Sequence, residues 1–325
     1  MEISVVGCGR WGSFIAWYVS TLGHDVTIYG RENSAKLQEL KEKRRNEYVT
    51  LKEDIKITSL LDDVVSRETI IISVDSQSLR TVTAQLKAVG LRDKTVILCM
   101  KGLEIGSGKR LSVVADEELG GTGCNIAVWL GPGHVQDFTS GIPNCMVIDC
   151  ADKELSKRII TKLSGGLIRF YVGDDLIGNE LGAAAKNVIG IAAGMLDGLG
   201  LPSLKGALMA RGAREISRLI KACGGSELSA YGLCHLGDYE ATVFSQHSHN
   251  RLYGESQIKK SRGFSADQNF LAEGFYTAKA LMALSEKTGV ELPICDAVYK
   301  VLYENANAEE MLKKLFLRSV KVEFN

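Results

Sequence analysis

Apolar positions along this chain fall into two regimes. From residue 2 to residue 172, short apolar runs alternate with amphipathic stretches, and beyond Val172 the apolar positions recur at helical spacing. The first regime predicts strands at Glu2 to Val6, Asp25 to Tyr29, Asp54 to Thr58, Glu68 to Val74, Thr95 to Met100, Asn125 to Leu130, Cys145 to Cys150 and Leu167 to Val172. Glu68 to Val74 is continuously apolar, as in a parallel strand covered on both faces. Helices are expected at Arg10 to Leu22, Lys36 to Lys43 and Leu79 to Ala88, the last with Asp75 and Ser76 as caps. The second regime predicts helices at Gly178 to Gly200, Leu204 to Cys223, Asn250 to Glu255, Asn269 to Thr288, Pro293 to Glu304 and Glu309 to Phe316. The chain is therefore expected to be α/β, with a Rossmann-type doubly wound sheet in residues 1–175 and an all-α domain in residues 176–325.

Gly178 to Gly200 is surrounded by apolar and small residues on every side, the pattern of a helix buried among others. Asn179, Glu180, Lys186 and Asn187 interrupt it, and residues seven apart share a face. A buried ammonium must find partners or give up its charge, which suits Lys186 to proton transfer. The competing reading is a membrane span. Glu180, Lys186, Asp197 and the many glycines argue against it.

Composition narrows the function. The chain has 325 residues, 45% hydrophobic and 24% charged, with 39 basic and 39 acidic side chains and no formal net charge. Such a chain has a core for two domains and no global field for nucleic acid or anionic membranes. The opening MEISVVG reads as a strand, not a signal peptide. Eight cysteines without a Cys-x-x-Cys pair suit neither a disulfide framework nor a zinc site, and the cytoplasm is the expected compartment. His247 and His249 have metal-pair spacing but no third ligand, so no metal is expected.

Between the first strand and the first helix lies Gly7-Cys8-Gly9-Arg10-Trp11-Gly12, a Gly-x-Gly-x-x-Gly in the position of a dinucleotide-binding turn. Gly7 permits the turn, Gly9 lets the backbone approach a pyrophosphate, and Gly12 allows close helix packing. A glycine-rich turn without ligand is the alternative. Gly30-Arg31-Glu32 ends the second strand; Arg31 suits the 2′-phosphate of NADP, and Glu32 stands one position late for the ribose of NAD. NADP is therefore slightly favoured over NAD. Lys101 and Gly131-Pro132-Gly133 follow strand ends, where doubly wound sheets bind ligands, with a surface loop lysine as the lesser alternative for Lys101.

These motifs together resemble the NAD(P)-dependent sn-glycerol-3-phosphate dehydrogenases, nearly end to end. The likeness is carried by residues 7 to 12, Lys101-Gly102-Leu103-Glu104, Gly182-Ala183-Ala184-Ala185-Lys186-Asn187-Val188-Ile189, Leu236-Gly237-Asp238 with Thr242, Ser248-His249-Asn250-Arg251 and Ala272-Glu273-Gly274. It implies a helical domain like the C-terminal domain of 6-phosphogluconate dehydrogenase, a homodimer, and reversible reduction of dihydroxyacetone phosphate for glycerophospholipid synthesis. Lys186 would be the general acid/base, Asp238 its charge partner and Lys101 the group that stabilises the oxyanion. Gly7, Gly9, Arg10, Trp11, Gly12, Arg31, Lys101 and Glu273 would hold the cofactor, with Glu273 on the nicotinamide side. The small phosphorylated substrate would meet Lys101, Gly131, Gly133, Lys186, Asn187, Asp238, Thr242, Ser248, His249 and Asn250.

The chain departs from that family at three places. Leu130-Gly131-Pro132-Gly133 stands where the family has Ser-Gly-Pro-Thr or Ser-Gly-Pro-Ser, and Asp75 stands where it commonly has proline. His249 replaces an arginine that contacts the substrate phosphate, for which Arg251 is a candidate substitute. These changes leave open a related dehydrogenase with another hydroxy or oxo substrate, and a non-catalytic cofactor-binding homologue.

Overall fold

The apolar runs form one mixed sheet in a computed structural model that describes residues 1–261, 272–320 and 322–323. Its strands are β1 (Glu2–Val6), β2 (Asp25–Tyr29), β3 (Lys56–Thr58), β4 (Thr69–Ile72), β5 (Thr95–Leu98), β6 (Asn125–Leu130), β7 (Asn144–Cys150) and β8 (Ile168–Val172). They lie in the order β3-β2-β1-β4-β5-β6-β7-β8. β6 and β7 pair antiparallel, and the other neighbours pair parallel. The fold is thus the expected Rossmann-type sheet with an antiparallel step at its far end. Chain order reverses beside β1, and the Gly7 turn follows β1, the place where such sheets bind ligands. β4 is shorter than predicted: the Ser73 carbonyl lies so close to Gly7 that a Cβ there would meet its oxygen at 2.2 Å, and the chain turns away. β3 and β5 are also shorter than their apolar runs.

The helices of this part are α1 (Arg10–Thr21), α2 (Ala35–Lys43), α3 (Leu61–Val65), α4 (Leu79–Ala88), α5 (Leu111–Leu119), α6 (Val135–Thr139) and α7 (Lys153–Leu163). α3, α5, α6 and α7 are absent from the expectation. α3 and α6 have five residues each, too few to show a period. Asp75 caps as expected, but it caps a short turn at Ser76–Ser78 that runs into α4. Ile3, Val5, Ile28, Ile71, Ile97 and Trp129 are fully buried in the core, where Phe14 stacks on Phe138 with ring centroids 5.0 Å apart.

Met1–Met100 with Leu111–Leu176 form one compact unit, and Lys101–Arg110 with Ile177–Asn325 form the second. The second unit holds α8 (Leu176–Leu199), α9 (Lys205–Ala222), α10 (His249–Ser261), α11 (Glu273–Thr288), α12 (Pro293–Tyr303) and α13 (Ala308–Phe316). α10 runs a turn and a half beyond its predicted end, and the predicted start of α11 at Asn269 lies outside the described residues. Among the described residues no helix is long and apolar enough to cross a membrane.

α8 is buried along most of its length because its glycines let neighbours approach at backbone distance. A Cβ on Gly194 would sit 1.8 Å from the Arg251 carbonyl oxygen, and one on Gly254 of α10 would sit 2.0 Å from the Ile191 carbonyl oxygen. α8 and α10 therefore touch backbone to backbone. Elsewhere Leu181, Val188 and Ile191 are fully buried against α9 to α12, each worth about 1.5–3 kcal/mol.

The glycine contacts make a paired prediction. Gly194→Ala gains about 1 kcal/mol of helix propensity but forces two backbones apart, at a cost of about 1–3 kcal/mol or more. A net loss of thermal stability is expected. Gly206→Ala, at a helical position with nothing within 4 Å of the added carbon, is expected to raise the melting temperature slightly. Melting curves of the two variants check both signs.

Candidate active site

Two polar constellations stand out, one in each unit. In the sheet unit, α1 begins directly after the Gly7 turn, so its first N–H groups face the loop and make an anion site of the kind dinucleotides use. Gly7 has φ +113°, and a Cβ on Gly12 would lie 1.9 Å from the Gly7 carbonyl oxygen. Gly9 is open by contrast: its nearest neighbour would be the Lys36 ammonium at 3.9 Å. Trp11 packs on Phe14 and Phe138, and Arg10 lies over the Tyr48 ring. Lys36 was not foreseen from sequence, where it is one lysine among many in a charged stretch.

At the end of β2 the side chains divide. Arg31 is exposed. Glu32 is held by Ser59 and by the Lys41 ammonium at 3.3 Å, which lower its carboxyl pKa. Burial raises the thiol pKa of Cys8, and the positive charges of Lys36 and Arg31 pull the other way, which marks this corner as cationic. After β6, Gly131 and Gly133 have φ +124° and +143°. The Phe138 ring occupies the space a Gly133 side chain would take, at 2.4 Å from its Cβ position. The hydroxyl missing at this position is thus replaced by an aromatic ring.

In the helical unit, Asp238 ends a short turn at Leu236–Asp238 and is 1% exposed. One of its oxygens, Oδ2, accepts from both Lys186 Nζ and Lys101 Nζ, each at 2.8 Å. Lys186 Nζ also donates to Thr242 Oγ1 at 2.7 Å, and Thr242 Oγ1 donates to the Asp238 carbonyl at 2.7 Å. Burial pushes the Lys186 pKa from 10.5 down to about 8; Asp238 opposes the shift and Lys101 adds to it. The ammonium is poised to exchange its proton near neutrality.

A chain of amides fixes this cluster. Gly274 N–H donates to Asn250 Oδ1 at 2.9 Å, Asn250 Nδ2 to Asn187 Oδ1 at 3.0 Å, and Asn187 Nδ2 to the Lys101 carbonyl at 2.7 Å. The structure thus brings together Lys101, Lys186, Asn187, Asp238, Thr242 and Asn250. Glu273 opens α11 next to Gly274. His249 opens α10, and Ser248 caps it by accepting from Arg251 N–H. Arg251 is not available as a phosphate ligand: it donates to Asp197 at 2.6 Å and to the Ser245 carbonyl at 3.0 Å, with Glu255 at 3.3 Å. That overturns the expectation that it substitutes for the arginine absent at 249. Among the described residues no three His, Cys, Asp or Glu side chains converge as a metal site.

His235 is a further member that sequence reasoning missed. Its Nδ1 lies 2.8 Å from the Gly182 carbonyl and its Nε2 lies 2.8 Å from Tyr239 Oη. A carbonyl only accepts, so Nδ1 carries the proton and Nε2 accepts from the tyrosine. Burial lowers its pKa to about 4, and the ring stays neutral as a brace between α8 and the Asp238 turn. Nothing in sequence marks it, because its partner is a main-chain atom 53 residues away.

Comparison with known proteins finds one family along nearly the whole chain. The NAD-dependent glycerol-3-phosphate dehydrogenase N-terminus model matches residues 2–156, and the C-terminus model of the same family matches residues 175–313. A glycerol-3-phosphate dehydrogenase [NAD(P)+] of Fusobacterium nucleatum is 36% identical, covering 99% of this chain and 98% of the relative. One from Pelodictyon phaeoclathratiforme is 35% identical, with 99% of each covered. The crystal structure of glycerol-3-phosphate dehydrogenase from Coxiella burnetii superposes with a TM-score of 0.87 at 27% identity, covering 98% of this chain and 99% of that one.

The shared carboxylate gives a test. Asp238→Ala leaves the buried Lys186 ammonium without its counter-charge and is expected to cost about 3–5 kcal/mol at neutral pH. Adding Lys186→Met to that variant removes the stranded charge and should restore much of the loss. Denaturant unfolding of the two single variants and the double variant measures the coupling.

Proposed function

The chain belongs to the NAD-dependent glycerol-3-phosphate dehydrogenase family, and from that premise we propose that it is an oxidoreductase interconverting dihydroxyacetone phosphate and sn-glycerol 3-phosphate with NAD(P)(H). Its product would supply glycerophospholipid synthesis. The observation that carries the reading is the buried Lys186 ammonium, with a pKa near 8, held by Asp238 and Thr242.

The glycine turn suits a dinucleotide: Gly9 leaves its surface open, while Gly7 and Gly12 occupy positions where any side chain would collide with backbone. When bound, the nicotinamide supplies or takes up the hydride. Lys186 gives its proton to the carbonyl oxygen as negative charge develops there, and takes it back in the oxidative direction. Two of its three N–H groups are taken by Asp238 and Thr242, and the third has no partner among the described residues, so it serves the substrate oxygen. Lys101 adds a second positive charge in a setting where charge is weakly screened. Asn187 and Asn250 act by holding Lys101 and α11 in register.

NADP is the cofactor we favour. Glu32, the acidic candidate for the NAD ribose, is occupied by Lys41 and Ser59, while Arg31 and Lys36 supply positive charge for a 2′-phosphate. Eight free cysteines support a reducing compartment, the cytoplasm.

Initial rates of NADPH and NADH oxidation with dihydroxyacetone phosphate test the reading. Turnover with NADPH above NADH is expected, and Lys186→Ala should lower kcat by roughly 10²–10⁴ while leaving NADPH binding in place. Unchanged turnover in that variant would overturn the role of Lys186. Because Lys186 keeps its proton below about 8, reduction should fall as pH rises through that value and oxidation of glycerol 3-phosphate should rise.

His249 opens α10 at the position of the family's phosphate arginine. His249→Arg, which restores a permanent bidentate cation, is expected to lower KM for dihydroxyacetone phosphate with little change in kcat. A KM unchanged in both His249→Arg and His249→Ala would remove His249 from the phosphate site.

A further inference from the structure

The face of α8 that looks away from Lys186 borders a cavity of about 410 Å³, walled by α9, α12 and α13. Met195 lines it and follows Lys186 by nine residues, about two and a half turns, which puts the two on opposite sides of the helix. The floor is apolar and buried, formed by Met195, Leu196, Ile294, Val298 and Met311. The mouth is cationic: Arg211 and Arg318 are exposed, and Arg218 is half-buried. The volume lies in the range of sites for small organic ligands, roughly 300–1,000 Å³.

The charge at the mouth is compensated in part, by Glu291 beside Arg318 and Arg218 and by Glu215 beside Arg218. Arg211 and Arg218 donate to the main-chain carbonyls of Glu323 and Glu291, which carry no charge. Arg318 pairs with the Glu291 carboxylate at 2.7 Å, a surface ion pair screened by water and easily exchanged for another anion. Glu215, the acid in the wall, is committed elsewhere: its two oxygens accept from the backbone N–H groups of Ile294 and Cys295 at 2.9 and 3.0 Å and so tie α9 to the start of α12. Among the described C-terminal residues, Val320 and Val322 lie outside the cavity, 102% and 66% exposed. An open apolar cavity with a guanidinium mouth suits a single hydrocarbon chain ending in a carboxylate, which arginine grips with paired N–H donors.

We propose that this cavity is a binding site for a free long-chain carboxylate, with the hydrocarbon among α8, α9, α12 and α13 and the carboxylate on Arg211 and Arg318. The site is separate from the reaction centre and does not depend on the activity proposed above.

Titration of the full-length protein with dodecanoate, below its micellar concentration, tests the site by calorimetry and by thermal melting. One molecule per chain and a melting temperature that rises with ligand concentration are expected. Ala297→Phe, which fills the cavity, should abolish binding; Val301→Phe serves the same purpose if the first variant fails to fold. The double variant Arg211→Gln/Arg318→Gln should weaken dodecanoate at least about tenfold while changing dodecanol less than about twofold. Far-ultraviolet circular dichroism and a cooperative melt report that the variants are folded, independently of any turnover. Failure of dodecanoate to bind, or binding that survives both filling variants, would overturn the proposal. So would an equal effect of the arginine changes on dodecanoate and dodecanol. Retention of the protein on phosphatidylglycerol vesicles without binding of free dodecanoate would assign the face to a membrane instead. Dodecanoate-driven dissociation of a dimer, seen by sedimentation, would assign it to a second copy of this chain.

Discussion

Two ammonium groups on one buried carboxylate oxygen is the constraint around which the helical unit is built. Asp238 is almost fully enclosed, Lys186 nearly so, and Lys101 keeps partial contact with solvent. Removing the lysine from water outweighs the attraction of the single carboxylate, because that carboxylate is shared and the second lysine repels the first. A pKa drawn down from 10.5 to about 8 represents about 3 kcal/mol against the charged form. The fold tolerates this unfavourable charge only because the surrounding groups are fixed: Thr242 bridges Lys186 to the Asp238 backbone, His235 and Tyr239 brace the turn, and the Asn187–Asn250 relay anchors Lys101. A loosely held lysine would swing to water and recover an ordinary pKa.

That fixity has a backbone origin. α8 presents two different faces. One carries Lys186 and Asn187 and, further along the helix, the glycines that receive α10; the other is apolar and borders the cavity. Glycine contact brings α10 close enough for Asn250 to reach Asn187, and α11 close enough for Gly274 N–H to reach Asn250; a Cβ on Gly274 would meet the Asn187 carbonyl at 2.6 Å. The same absence of side chains that weakens the intrinsic helix propensity of α8 lets its polar face be assembled from three helices at hydrogen-bonding distance. Tertiary burial of Leu181, Val188 and Ile191 offsets the lost propensity.

Much of this arrangement was legible in the sequence. Hydrophobic runs located every strand of the sheet, because buried parallel strands leave continuous apolar segments, and spacing alone identified α8 as buried with Lys186 as a committed polar group. What could not be read was pairing across distance. The antiparallel step between β6 and β7 depends on chain direction, to which periodicity is blind. Arg251 looked like a spare cation beside His249, yet Asp197, 54 residues earlier, takes it. Gly133 looked like a lost hydroxyl, and only its positive φ and the Phe138 ring reveal why glycine stands there. Short helices such as α3 and α6 carry no period at all.

The phosphate end of the substrate site follows from the commitment of Arg251. Arg251 and Lys205 share the partly buried Asp197, and Arg251 also pairs with Glu255, so these two cations are largely neutralised where they stand. In the proposed reading, a phosphate at the start of α10 would meet the positive end of that helix, capped by Ser248, and His249. A helix end offers only a partial charge, whereas an arginine at 249 would add a full, bidentate one. With Arg251 committed to Asp197, the start of α10 is therefore less cationic than an arginine at 249 would make it, and the pH dependence of the proposed reduction rests on Lys186.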